Sequence, residues 1–289
     1  MSHLTPADHL AHDHDHDDHG GLHRDLAGTR ALLGRRRWLS LVGSAGAALG
    51  LAPILGCADS GVLDPSTDDT VTGGINPSTG VCTRIPEETA GPYPGDGSNG
   101  ANVLNQSGVV RSDLRSSFAG LSGTAAGVPL TIALTIVSSS TCAPLAGRAV
   151  YLWHADRDGR YSLYSSGVTN QNYLRGVQAA DENGRLAFTT IFPGCYDGRW
   201  PHIHFEVFNS LAAASNVANK VATSQIALPK AACDLVYATT GYAASVSNLS
   251  RVSLASDNVF RDGANLQLAT LTGDVSSGFT ASLTVAVNV

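Results

Sequence analysis

NYLRGVQAADENGRLAFTTIFPGCYDGRWPHIHFEVF (residues 172–208) alternates turn and strand signals in a short space. Asp181-Glu182-Asn183-Gly184 is turn chemistry, since Asn and Gly tolerate left-handed backbone and an Asp side chain bonds the backbone ahead of it. Leu186–Ile191 follows as a strand, Pro193-Gly194-Cys195-Tyr196-Asp197-Gly198 interrupts it, and His202–Phe208 resumes. Successive strand residues face opposite ways, so His202 and His204 project from one face and can offer two nitrogens to one metal. Tyr196 lies six residues before His202, Arg199 three before it, and Tyr173 precedes the turn that returns the chain. Two phenols and two imidazoles form a hard, oxygen-rich donor set, and a phenolate favours Fe(III) over zinc.

Working outward, Leu130–Val137 and Ala149–His154 read as strands, the second ending in the Asp156-Arg157-Asp158-Gly159 turn. Ser224–Leu228 continues the series and Phe279–Val287 alternates cleanly as a closing strand. Helical periodicity is scarce, with one short turn expected over 112–118. Short strands at this spacing predict a mostly-β chain with an antiparallel β-sandwich core, long loops and little helix.

The chain divides into three parts. Residues 1–57 hold a His-rich N-terminus and Arg35-Arg36-x-Trp38-Leu39, a twin-arginine export pattern followed by a charge-free stretch over 38–56. Ile54-Leu55-Gly56-Cys57 resembles a lipobox, so Cys57 is a candidate lipid anchor and the mature protein is expected to be periplasmic, on the cell surface or secreted. Residues 58–80, rich in Asp, Ser, Thr, Gly and Pro, read as a flexible linker, and 81–289 as one β domain. Seven of the ten histidines fall in the first 23 residues, in a tract expected to be removed on export; His154, His202 and His204 remain. With a net charge of −6 and only 15% charged residues, nucleic acid is not an expected partner. Cys82, Cys142, Cys195 and Cys233 lack zinc-ribbon spacing and are candidates for disulfides in an oxidising compartment, with three pairings open.

The run YLRGVQ…DENGRLAFTTIFPGCYDGRWPHIHFEV resembles the intradiol ring-cleavage dioxygenases, the catechol and protocatechuate dioxygenase group, here in an exported branch. The likeness extends through AVYLWHADRDGRYS (149–162), TAGPYPGDGSN (89–99) and TSQIALP (223–229). It implies a mononuclear non-haem Fe(III) held by Tyr173, Tyr196, His202 and His204, with Tyr196 and His202 axial and Tyr173 and His204 equatorial. It further implies that a catechol binds as a chelating dianion and displaces Tyr196, which takes up a substrate proton. Both atoms of O2 then enter a cis,cis-muconate-type diacid. By the same resemblance Arg199 and Gln225 are catalytic and substrate-binding residues, and Tyr93 lines the substrate mouth. Catechol-type molecules and O2 are the implied partners, with homo-oligomerisation open.

Other readings stand beside these. Arg199 could pair with Asp197 or Glu206, Arg175 could brace its segment, and Trp153, His154 and Tyr161 read as cross-strand packing. Cys195 could bond Cys233 and stiffen the turn of Tyr196. The six-residue spacing from Tyr196 to His202 is shorter than in better-known members, which predicts a more open mouth. A non-catalytic extracytoplasmic module binding aromatics or carbohydrate, and a zinc hydrolase built on the His pair, are the alternatives.

Overall fold

The computed structural model describes residues 75–76 and 81–289. The expected export signal, the candidate lipobox at Cys57 and the His-rich tract lie outside the described residues. No helix among the described residues is long and apolar enough to cross a membrane.

Among the described residues ten strands form three sheets. A small hairpin pairs β1 (Ile75–Asn76) with β2 (Val81–Cys82), so pairing begins inside the segment expected to be linker. Four strands, β3 (Pro129–Ser138), β6 (Arg185–Ile191), β9 (Thr270–Asp274) and β10 (Gly278–Val287), make one sheet in the order β6-β3-β10-β9. The other sheet, ordered β5-β4-β7-β8, contains β4 (Ala149–Trp153), β5 (Arg175–Ala179), β7 (His202–Phe208) and β8 (Lys220–Ala227). Two short helices, α1 (Lys230–Tyr237) and α2 (Ala243–Leu249), follow β8.

The mostly-β sandwich of the sequence reading is therefore present, with one difference. β10 joins β3 in parallel, in register from Phe279 opposite Leu130 to Val287 opposite Ser138. A parallel pair needs a long crossover, and here almost the whole domain lies between the two strands. Residues 112–118 form no helix. Thr189 of β6 instead exchanges backbone bonds with this segment, N–H of Leu114 to O of Thr189 at 2.8 Å and N–H of Thr189 to O of Ser112 at 2.8 Å. Edge pairing beside β6 satisfies the backbone that a lone helical turn would leave half-bonded.

The two sheets meet different surroundings. β6 alternates exposed and buried residues along most of its length, with one face in the core and one in water. Every residue of β4 and β7 is buried. One face of that sheet, with Val150, Leu152, Ile203, Phe205 and Val207, packs into the core between the sheets with Ile132, Leu134, Phe188 and Val285. The opposite face, with Tyr151 and Trp153, packs under the loops with Val103, Leu104 and Tyr161. It is this loop-covered face that carries His202 and His204.

The only disulfide among the described residues joins Cys82 to Cys142, 60 residues apart, while Cys195 and Cys233 are buried thiols. Of the pairings left open by the sequence, the one joining Cys195 to Cys233 is thus not formed. Burial pushes the Cys195 thiol up to about 12, with the carboxylate of Asp257 adding to the effect, so it carries no thiolate at neutral pH. The double substitution C82S/C142S is expected to lower unfolding stability by about 4 kcal/mol through loop entropy. Guanidinium unfolding of the two oxidised proteins reads this directly, and equal midpoints would show that the link constrains nothing.

Candidate active site

The strand register assembles a row of polar and aromatic side chains across the loop-covered face. Arg175 on β5 stands opposite Trp153 on β4, Trp153 opposite His204 on β7, and His204 opposite Gln225 on β8. His204 stacks on the indole of Trp153 at 4.9 Å and 7°, which fixes its ring plane. His202, two residues earlier, lies on the same face, and the two Nε2 atoms are 3.1 Å apart. The Nδ1 of His202 is 2.5 Å from the carbonyl of Trp200. That bond places the proton on Nδ1 and leaves the Nε2 lone pair facing its neighbour. Both imidazoles are held well below their usual pKa, by burial first, then by Arg199 for His202 and by His202 for His204. They are neutral, as metal ligands must be.

The phenols come from two turns. After β4 the chain reverses through Asp156–Gly159, where the Asp156 carboxylate accepts N–H bonds from Asp158 and Arg160, both at 2.9 Å. The reversal brings Tyr161, 1% exposed, over the histidines, its hydroxyl 3.1 Å from Nε2 of His204 and 3.4 Å from Nε2 of His202. The second turn carries Tyr196, half-buried, with its hydroxyl 3.2 Å from Nε2 of His202. The turns lock together through backbone: Gly194 N–H donates to Asp156 O at 2.9 Å. Gly159, at φ +81°, adopts backbone that favours glycine, and a Cβ there would crowd the Cβ of Tyr196 at 3.0 Å.

This arrangement corrects the sequence reading at one point. Tyr173 does not join the cluster; its hydroxyl donates to Asp156 at 3.2 Å. Burial, then the Asp156 carboxylate, push Tyr173 up to about 12, the opposite of what a phenolate ligand requires. Tyr161, read as packing, takes the place beside both imidazoles. The residue is the first aromatic after the turn that ends β4, and β4 is the neighbour of β7, so strand adjacency is the signal that could have found it. His154, the third histidine, packs as expected, with Nδ1 2.7 Å from Ala155 O and Nε2 2.7 Å from Thr190 Oγ1.

Arg199 is 1% exposed and reaches the same cluster, its Nη1 3.4 Å from Nε2 of His202. Its partner is neither Asp197 nor Glu206. Asp197 pairs with Arg251 at 2.7 Å and Glu206 with Lys220 at 2.8 Å, whereas Arg199 Nε donates to Asp257 at 3.0 Å. Its Nη2 donates to Gln225 Oε1 at 2.7 Å, and Gln225 Nε2 donates to Thr89 O at 2.9 Å. Gln225 is therefore beside Arg199, as the sequence reading placed it.

Tyr93 lies over Tyr161 with ring centroids 5.1 Å apart, and Tyr164 stands 5.3 Å from Tyr93. Arg175 braces this rim as expected. It is buried and donates to Tyr93 O at 2.9 Å, Pro94 O at 2.6 Å and both Ser162 oxygens at 3.0 Å. Leu163 and Leu174, at φ +75° and +58°, flank this region in the left-handed region that a bulky side chain adopts only at a cost of roughly 1–2 kcal/mol. The side-chain bonds around them hold the two segments in place.

Among the described residues no three His, Cys, Asp or Glu side chains converge on one metal position. The donors here are two imidazoles and two phenols. Donors about 2.1 Å from one ion and at right angles stand about 3 Å apart, and the Nε2 pair at 3.1 Å with phenol oxygens at 3.1–3.4 Å has that spacing. The residues fit a single hard metal ion.

Comparison with known proteins bears on the fold. Residues 108–240 match the family model described as Dioxygenase. A chlorocatechol 1,2-dioxygenase of Rhodococcus opacus is 33% identical over 61 residues, covering 21% of this chain and 24% of the relative. The matched stretch thus spans about a quarter of that relative's length. The structure of an intradiol ring-cleavage dioxygenase from Tetranychus urticae superposes with a TM-score of 0.58 at 25% identity, covering 72% of this chain and 95% of that one. The fold is that of the intradiol ring-cleavage dioxygenases. A 3-chlorocatechol 1,2-dioxygenase from Rhodococcus opacus 1CP aligns over 71% of this chain and 73% of its own, at 18% identity and a TM-score of 0.45. In this fold the candidate site lies within the matched family segment, apart from Asp257 and the Tyr93 loop.

His154 gives the site region a defined acid sensitivity. Burial holds its imidazole down at about 4, so the unfolded chain takes up a proton below pH ~6.5 that the folded protein refuses. Stability tied to this group is complete above that pH and is lost as pH falls toward 4. In the metal-free protein H154Q is expected to flatten the pH dependence of unfolding between pH 7 and 4.5, by on the order of 2 kcal/mol. Urea unfolding at the two pH values checks this, and identical slopes would show that His154 is not buried as the neutral form.

Proposed function

We propose that the protein is a mononuclear non-haem Fe(III) dioxygenase that opens catechol-type rings between the two hydroxylated carbons, giving a cis,cis-muconate-type diacid. The observation that carries this reading is the convergence of Nε2 of His202 and His204 with the hydroxyls of Tyr161 and Tyr196. Two neutral imidazoles and two phenolates leave one positive charge on a trivalent ion, a balance that zinc and its usual Cys and His sets do not call for. Bound there, iron(III) supplies Lewis acidity and accepts electron density from a catecholate, which readies the ring for O2.

The chain's own residues divide the remaining work. Tyr161 is buried and flanked by Tyr93 and Tyr196 rings, so it is the fixed phenol. Tyr196 is half-buried on a turn, so it is the phenol able to swing out and hold a substrate proton on its hydroxyl oxygen. Arg199 presents a fixed positive charge beside His202, where negative charge develops as the ring ketonises. Gln225 keeps that guanidinium in plane from the other side. Tyr93 and Tyr164 form the aromatic rim over which a planar substrate enters. Export through the twin-arginine route, with Cys57 as an anchor, would place this chemistry outside the cytoplasm, on catechols released from plant or humic matter.

The test is iron loading followed by visible spectroscopy and oxygen uptake with catechol, protocatechuate and hydroxyquinol. The loaded protein is expected to show a phenolate-to-iron band and to form a diacid. Y161F is expected to lose most of the band and at least 100-fold in turnover, on the order of 3 kcal/mol of barrier, while Y173F keeps the colour. A colourless loaded protein, or a semialdehyde product, would overturn the reading.

A further inference from the structure

We infer that Asp257 is the positioning residue of this site, acting through Arg199. Asp257 lies in the loop between α2 and β9, 58 residues beyond Arg199, and its side chain is fully buried. Each carboxylate oxygen takes two donors. Oδ1 accepts the N–H groups of Val259 at 2.8 Å and Phe260 at 3.1 Å, which folds the loop around the carboxylate. Oδ2 accepts Arg199 Nε at 3.0 Å and the backbone N–H of Trp200 at 2.7 Å. One oxygen thus serves the loop and the other grips the segment that leads into β7.

The consequence for Arg199 is geometric. A guanidinium is a planar fork, so fixing two of its nitrogens fixes the third. Asp257 holds Nε and Gln225 holds Nη2, which leaves Nη1 pointing at Nε2 of His202. The same carboxylate oxygen accepts the Trp200 N–H at 2.7 Å and so holds the chain just before β7. Asp257 also supplies the counter-charge that lets a guanidinium sit in the interior at all. It touches neither the histidines nor the phenols, so its influence on turnover passes through Arg199, while the Trp200 N–H bond serves to anchor the backbone.

Isosteric D257N separates the two halves of this role. If the amide oxygen keeps the Val259 and Phe260 bonds, the NH2 group faces the Arg199 side, where donor meets donor. The first measurement needs neither iron nor substrate: hydrogen exchange of the arginine Nε–H in 15N-labelled metal-free protein, with the Arg199 signal assigned by its loss in R199Q. Wild type is expected to show a slowly exchanging Arg199 Nε–H, and D257N to exchange it at least 10-fold faster. The second is kinetic and rests on the dioxygenase reading above. D257N is expected to lower kcat 10- to 100-fold with KM changed less than 3-fold. In the R199Q background the same substitution should change kcat by less than 2-fold, because its route of action is gone.

An unchanged exchange rate in D257N, or losses from the two substitutions that multiply in the double variant, would overturn the inference. If D257N alone does not fold, the R199Q/D257N protein, with both charges removed, and D257E are compared instead. The inference then expects the double variant to match R199Q in kcat and D257E to restore slow exchange in part; a further loss in the double variant, or no protection in D257E, overturns it. Inactivity of the wild-type loaded enzyme on every catechol would sink the dioxygenase reading and leave the exchange result to decide the role of Asp257.

Discussion

β7 is buried along its whole length, so its alternate side chains must satisfy two different environments. Ile203, Phe205 and Val207 complete an apolar core between sheets, where only packing is asked of them. His202, His204 and Glu206 face the loop-covered side, where any polar atom must find a partner or cost free energy. That second requirement dictates much of the surrounding structure. Lys220 reaches Glu206, Trp153 stacks on His204, and the Trp200 carbonyl takes the Nδ1 of His202. Burial still pushes Glu206 up to about 7 despite Lys220, with Asp96 adding to the rise. A strand with two wet faces would have needed none of these partners.

How far the sequence discloses this follows from the range of each interaction. Strands β3, β4, β6, β7, β8 and β10 are legible because alternation and turn residues are local properties. The His202–His204 pair is legible for the same reason, since a spacing of two on a strand fixes the face. Choosing between Tyr161 and Tyr173 is not a local question. Both precede the hairpin, and the choice depends on β4 lying beside β7 and on Asp156 capturing the Tyr173 hydroxyl. The partner of Arg199 was beyond reach for a similar reason. Asp197 and Glu206 are near in sequence, but Asp197 points to Arg251 on the surface, and Asp257 arrives from a loop after two unforeseen helices.

The two buried guanidiniums show two physical solutions to one problem. Arg199 is neutralised by a carboxylate and keeps one nitrogen for the site. Arg175 is bonded to carbonyl and hydroxyl oxygens of Tyr93, Pro94, Tyr151 and Ser162, with the Tyr164 ring beneath it at 5.5 Å. Neutral acceptors stabilise a buried cation less than a carboxylate does, yet they come from segments that must be held together. Arg175 therefore works as a tie between the rim loop and the segment that follows Tyr161. A lysine there, with one nitrogen in place of three, could not span the same oxygens.

The helices, absent from the sequence reading, explain why a half-exposed turn can carry Tyr196 with a defined direction. Turns on a surface are ordinarily the more mobile parts of a fold. Here Cys195 N–H donates to Ser245 Oγ at 2.9 Å and Asn248 Nδ2 donates to Cys195 O at 2.8 Å, both from α2. Tyr237 of α1 donates its hydroxyl to Pro193 O at 3.0 Å. On the other flank, Gly159 and Gly194 bring the turn of Tyr161 into backbone contact. The backbone on either side of Tyr196 is thus pinned while its hydroxyl is left against His202 at the edge of solvent. Fixing the main chain and freeing one side chain is the combination that a phenol needs if it is to leave one partner, accept a proton and return.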